Sequence, residues 1–353
     1  MSGSPAMVGS PRDACLLLQQ VFLKAQKYWA TENVGRTEFT SVAAHRCRLS
    51  LSSATVAACG RNREINMTIV VTGATGPFGR FVVESLLARG VAPGHIVATG
   101  RALAKVADLG ERGVDVRVAD FDHPEGLPAA FDGAERLLLV SGSEVGRRIQ
   151  QHRNAVDAAV GAGVSLLVYT SAPYADRTQL QLAAEHRATE EYIKASGLPY
   201  VFLRNSWYLE NYTAKMPDAI KNGVVVGAAG EGRVSAALRA DFAAAAAAVL
   251  LLPIDEVAGR VFELGGDEAF TMAEYAAEVA RLTGRPVAYR DLSAADYAQT
   301  LAGFGLPAEL AGIIADSDAG IGRGELLVTS GDLSRLLGRS TSTLSEALAA
   351  ALV

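Results

Sequence analysis

Cysteine is missing from almost the whole chain: Cys15, Cys47 and Cys59 stand near the start, and none follows. From Met67 onward neither a disulfide framework nor a Cys-based metal site can operate. A long apolar run is missing too. The longest, Phe242 to Pro253, is mostly alanine and falls short of the roughly 20 residues that cross a bilayer. Positive charge is not in excess: 33 Lys and Arg face 38 Asp and Glu, a formal net charge of −5. Nothing in that balance marks a nucleic-acid surface. What is present is ordinary for a globular chain of 353 residues, half of them hydrophobic, and can bury a sizeable core. The expectation is a soluble, cytoplasmic protein with no membrane span and no nucleic-acid partner.

Charge divides the chain at Met67. Residues 1–66 carry eight Lys and Arg against four Asp and Glu, so the remainder is the acidic part. This first segment has no strand-turn-helix rhythm, although Ala14 to Ala30 has the spacing of one amphipathic helix. Two readings stay open. One is an extension with little fixed structure, as from a start codon placed too early; the other is a targeting or partner-binding segment.

From Met67 the pattern alternates short β-branched or leucine runs with helical stretches, the signature of a parallel sheet covered on both faces. Strands are expected at 68–72, 95–99, 115–119, 136–140, 165–170, 200–203 and 261–264, with helices at 79–89, 150–160 and 182–196. Arg239-Ala240-Asp241 opens an alanine-rich helix, with the Asp241 carboxylate as its cap. Thr271-Met272-Ala273-Glu274 reads as a capping box. Beyond Pro286 come a short strand and several small helices. The fold class is α/β, a doubly wound Rossmann-type parallel sheet with a smaller C-terminal α/β lobe. Residues 67–353 form one domain, the lobe drawn mainly from 209–235 and 285–353.

The first expected strand feeds a helix through Gly73-Ala74-Thr75-Gly76-Pro77-Phe78-Gly79. Such a turn leaves room for a pyrophosphate against a helix N-terminus, whose free amides and dipole attract anions. The place of the loop at the head of an α/β series makes it a dinucleotide site. Its GxxGxxG spacing points towards relatives of the extended short-chain dehydrogenases.

After the second strand stands Gly100-Arg101 where an NAD enzyme usually has an acid for the ribose hydroxyl. An arginine pairs with a 2′-phosphate, so NADPH is favoured over NADH. Asp120-Phe121 sits where side chain and amide commonly meet adenine, though Asp120 serves equally as a turn cap. Ser141-Gly142-Ser143-Glu144 lies where a loop passes the nicotinamide ribose, and its small residues permit close approach.

The Tyr-x-x-x-Lys pair of classical short-chain reductases is absent. Tyr192 and Lys194 are two residues apart and face different sides of a helix. Tyr169, Tyr174 and His186 could touch substrate, with a structural hydrogen bond as the alternative for His186. Reducing a ketone creates a strongly basic alkoxide that needs a positioned acid. Reducing a quinone creates an aromatic phenolate-type anion that water can protonate. The missing pair suits a quinone.

The chain from Met67 resembles the atypical short-chain dehydrogenases of the NmrA-like group, and is most similar to the NAD(P)H:quinone oxidoreductase type 2 family. The resemblance rests on Thr72 to Gly76, Leu138 to Gly146, Tyr169-Thr170-Ser171 and Leu203-Arg204-Asn205-Ser206-Trp207-Tyr208-Leu209-Glu210-Asn211-Tyr212. Gly227 to Gly230, Arg239 to Asp241, Ala315 to Asp318 and Leu337 to Arg339 also fit. It implies NADPH along the Rossmann half, held by Gly73 to Phe78 and Arg101, with the Ser141 to Glu144 loop beside it. It implies that Asn205 to Tyr208 line the nicotinamide and a small-molecule quinone, and that Arg239 is a further contact. Ser206 replaces the family's common glycine, which puts close backbone approach there in doubt. Other readings the group allows are a regulator that senses NAD(P) without turnover and a reductase of another conjugated acceptor, such as a triphenylmethane dye. No metal is expected, and a homodimer stays open.

Overall fold

A computed structural model describes residues 67–352. The expected helix at Ala14 to Ala30, and the N-terminal extension as a whole, lie outside the described residues. Seven parallel strands make the main sheet in the order β3-β2-β1-β4-β5-β6-β8. They are β1 (Ile69–Val71), β2 (Ile96–Gly100), β3 (Asp115–Val118), β4 (Arg136–Leu139), β5 (Leu166–Ser171), β6 (Tyr200–Asn205) and β8 (Val261–Leu264). The order reverses between β1 and β4, and that switch point is where such sheets bind ligands, beyond the carboxyl ends of the strands.

The longer helices are α1 (Pro77–Ala88), α2 (Arg148–Gly161), α3 (Ala183–Ala195), α4 (Arg239–Leu251), α5 (Met272–Thr283), α6 (Ala294–Gly303) and α7 (Ala308–Gly322). Central strands are buried on both faces, which explains their continuous apolar runs. Val70, Val97, Leu137, Leu167, Tyr169 and Phe202 share one core with Ala155, Val156 and Ala159 of α2 and Ile193 of α3. On the other side α1 packs on α4, whose alanines allow close approach.

A second core lies in the C-terminal lobe, built on Leu209, Tyr212, Met216, Phe270, Tyr275, Val279, Leu326 and Leu348. Its small sheet pairs β7 (Val224–Gly227) with β9 (Ala288–Asp291) in parallel. The sequence pattern does not reveal β7, and α7 is longer than the small helices expected there. Phe270 to Val279 joins this core as well, although the expected lobe ranges omit it. The capping box at Thr271 forms in both directions. Among the described residues no helix is long and apolar enough to cross a membrane, and no acid-histidine cluster is built to hold a metal ion.

One cap differs from expectation. Leu238 precedes α4 and no side chain caps it. The Asp241 carboxylate instead accepts from the Arg339 guanidinium at 2.6 Å and the Ser342 amide at 3.0 Å. A buried carboxylate gains more from a charged donor than from a cap, so it ties α4 to the C-terminal segment.

Candidate functional site

The glycine turn follows β1. Gly73 adopts φ +63°, a left-handed conformation that L side chains resist, and the Ala74 amide donates to Thr99 O at 2.8 Å. A Cβ on Gly79 would stand 2.5 Å from Gly73 O, so only glycine lets α1 begin this close to the turn. Gly76 precedes α1 without a side-chain cap, Pro77 follows, and no acid occupies the first turn. The first-turn amides and the positive helix end are thus left for an anion. Thr75 packs against Gly100, where a Cβ would lie 2.5 Å from its side chain. That contact brings the turn beside Arg101.

Around the carboxyl ends of β2, β3 and β4 runs a belt of charge. The half-exposed Arg101 guanidinium lies 2.8 Å from Glu144, which also takes Arg147 at 3.1 Å and the Gln151 amide at 3.3 Å. Asp120 accepts from the Asp122 amide at 3.1 Å, the turn-capping alternative of its two expected roles. Phe121 O accepts from Asn154 at 2.8 Å. The Ser141 amide donates to the Thr170 hydroxyl at 2.8 Å, Gly142 is bonded on both sides of its peptide, and Ser143 is exposed.

Opposite, β6 delivers Asn205 and the segment after it. The Asn205 amide is 6% exposed, yet among the described residues neither of its polar atoms makes a well-formed hydrogen bond. It lies near enough to the Tyr208 hydroxyl to influence it. A buried amide left unsatisfied is costly unless a ligand completes it. Ser206, at the glycine position, turns inward and donates to Leu326 O at 3.3 Å. Trp207 is half-buried against the second core. The Tyr208 ring lies 6.4 Å from Phe78 of the glycine turn, with the Arg239 guanidinium over its face at 4.7 Å. Phe78, Tyr208 and Arg239 therefore meet, although 161 residues of sequence separate the first from the last.

Tyr174 is the one described non-glycine residue with positive φ, at 51°. Its amide donates to Glu263 at 3.0 Å and its hydroxyl to Leu327 O at 2.9 Å. Backbone strain of this kind gathers at functional sites and needs surrounding support. The support comes from a residue that sequence reading passed over. Arg204, buried in β6, binds Glu190 at 2.7 Å, Asp176 at 2.8 Å and Glu263 at 3.0 Å. Burial opposes its charge, but Glu190 and Glu263 hold its pKa above the ordinary value. The signal was an arginine inside an apolar strand, which demands a buried acid.

His186 is enclosed, with Nδ1 2.8 Å from the Tyr169 hydroxyl. Burial, with Arg148 adding to it, keeps the imidazole well below its usual pKa, an arrangement that fits the structural alternative. Burial likewise raises the enclosed Tyr169 phenol. Tyr192 donates to Asp157 at 2.7 Å while Lys194 lies over the Phe202 ring at 5.5 Å, so the two diverge. An open recess of about 490 Å³ in the lobe, beside Gly230, Asp291 and Arg323, touches none of these groups.

The glycine turn falls in a match to the NAD(P)H-binding family over residues 73–253. Quinone oxidoreductase 2 of Escherichia coli is 47% identical over 280 residues, 79% of this chain and 97% of that protein. The crystal structure of the E. coli NADPH-dependent quinone oxidoreductase with NADPH superposes with TM-score 0.78 at 45% identity, covering 81% of this chain and all of that one. Triphenylmethane reductase of Citrobacter sp. with NADP(H) gives TM-score 0.74 at 33% identity, covering 81% of this chain and all of that one. The residue pattern, the sheet order and these likenesses agree: the chain belongs to the NAD(P)H-binding family, together with quinone oxidoreductase 2 of E. coli.

Proposed function

We propose that this protein is a cytoplasmic NADPH-dependent quinone oxidoreductase that passes a hydride from the nicotinamide to a quinone without a flavin. The observation that carries the reading is the meeting of Phe78, Tyr208 and Arg239 beside a buried Asn205 amide whose polar atoms make no well-formed hydrogen bond among the described residues. The 47% identity to quinone oxidoreductase 2 supports the same acceptor class.

When bound, the nicotinamide cofactor supplies the hydride. The residues bind and orient. The turn from Gly73 to Phe78 and the first amides of α1 hold the pyrophosphate, and Arg101 exchanges Glu144 for the 2′-phosphate. Asp120 and Phe121 border the adenine, and the Ser141 to Glu144 loop runs along the nicotinamide ribose. Asn205 offers a donor and an acceptor at the reacting end. Trp207, Tyr208 and Tyr174 line the quinone, and Arg239 backs Tyr208. The quinone gains a hydride and one solvent proton to give the hydroquinone. Its anion is a weak base, so a dedicated buried acid is unnecessary.

Trp207→Ala is expected to lower quinone turnover by about tenfold or more while NADPH still binds, since the indole forms wall and not cofactor cradle. Equal loss of cofactor binding would contradict that placement. The likeness to triphenylmethane reductase favours a second acceptor class. Competition between a benzoquinone and a triphenylmethane dye ranks the two, and the leading reading expects the quinone to win.

A further inference from the structure

We infer that His152, buried on α2 behind the Ser141 to Glu144 loop, is a positioning residue for that loop: its neutral imidazole holds the Gly142 amide in place. The inference rests on the reading of Ser141 to Glu144 as a cofactor-side loop. His152 lies on α2, 1% exposed, with both ring nitrogens engaged. Gly142 N–H donates to Nε2 at 3.0 Å, so Nε2 carries no proton. Nδ1 is then the protonated nitrogen and donates to the Thr189 hydroxyl at 2.9 Å, which in turn donates to Glu185 O at 2.8 Å; the Tyr169 hydroxyl lies farther from Nδ1, at 3.5 Å. This chain fixes both tautomer and ring orientation. Burial, reinforced by Arg148, pushes the imidazole down to about 3, which keeps it an acceptor at neutral pH.

The other side of the same residue is held as well. Arg148 Nε donates to Gly142 O at 2.7 Å, and the Gly146 amide donates to Glu185 at 2.9 Å. The loop is therefore anchored at Gly142 and Gly146, with Glu144 between them directed to Arg101. Gly142 itself has little room: a Cβ there would come within 3.3 Å of Gln151. A backbone held this way presents a fixed surface to the nicotinamide ribose and loses little freedom when the cofactor arrives.

Two substitutions separate the roles of the ring nitrogens. His152→Gln puts a carbonyl oxygen near the Nε2 position and keeps an acceptor for Gly142. His152→Asn reaches only the Nδ1 position and leaves the Gly142 amide unpaired. The Asn variant is expected to speed hydrogen exchange at Gly142 and weaken NADPH binding by about tenfold, the Gln variant far less, because an unpaired buried amide is costly. The NADPH KM should rise more than kcat falls, with the quinone KM unchanged. If both variants exchange and bind alike, the imidazole is only packing and the inference is overturned. If Gly142 exchange rises in the Asn variant with NADPH affinity unchanged, the clamp is real but the cofactor reading of the loop fails, and the positioning role with it. Thr189→Val removes the nearer partner of Nδ1 and leaves the Tyr169 hydroxyl at 3.5 Å and the Gly142 contact in place. It should give the same pattern in weaker form, and it serves as the test if the Asn variant does not fold.

Discussion

At the residue scale, the preference for NADPH is proposed to turn on one side chain. The proposed role of Arg101 rests on an arginine standing where an acid would be needed for a bare ribose, and on its guanidinium lying just beyond β2 near the glycine turn. Its ion pair with Glu144 is half-exposed and worth little in stability, so a phosphate can compete for it. Arg101→Glu is expected to weaken NADPH binding by about tenfold or more and NADH far less, measured by titration with each cofactor. Equal loss of both would contradict the assignment. Asp241 shows what residue-scale reading misses. Its position at the start of a helix suggested a cap, but the partner that claims it, Arg339, lies far along the chain. Arg204 and His152 escaped for the same reason: their partners are tertiary neighbours that spacing does not encode.

At the scale of elements, what repeats locally was readable. The apolar runs of the central strands, the helix after the glycine turn and the capping box at Thr271 all announce themselves within a few residues. The β7–β9 pairing did not, since parallel pairing across more than sixty residues leaves no local trace. Helix α7 was blurred by glycines at 312, 320 and 322, which interrupt its apolar rhythm. Alanine-rich α4 gives a direct test. Ala246 is fully buried in a helix that packs closely on α1. Ala246→Leu should overpack this layer and cost about 1–3 kcal/mol in denaturant unfolding. A neutral effect would mean the layer has space that the fold does not show.

For the whole described molecule, stability should depend on pH through its enclosed histidines. His152 titrates at about 3 and His186 well below 6.5, in both cases through burial first and Arg148 next. Tyr169, Glu185 and Glu190 are the other titratable groups around them. Each pKa is depressed on folding, so the unfolded chain binds more protons between the two values. Their contribution is complete above the unfolded value near 6.5 and is lost as pH falls from there toward 3. The slope rises toward roughly 1.4 kcal/mol per pH unit per histidine as pH drops well below 6.5. Unfolding midpoints measured from pH 7 to 5 should fall accordingly, and His152→Gln should flatten the decline. An unchanged slope in that variant would contradict a buried neutral His152.

The fold, the glycine turn and the Asn205 to Tyr208 segment all lead to one reaction, and it can be observed directly. The measurement is the loss of reduced-nicotinamide absorbance when the purified, flavin-free chain is mixed with NADPH and a benzoquinone. The account predicts catalytic oxidation, with one NADPH consumed for each hydroquinone formed. Firm NADP binding with no oxidation across a panel of quinones would contradict it, and would leave a protein that senses the cofactor without using it.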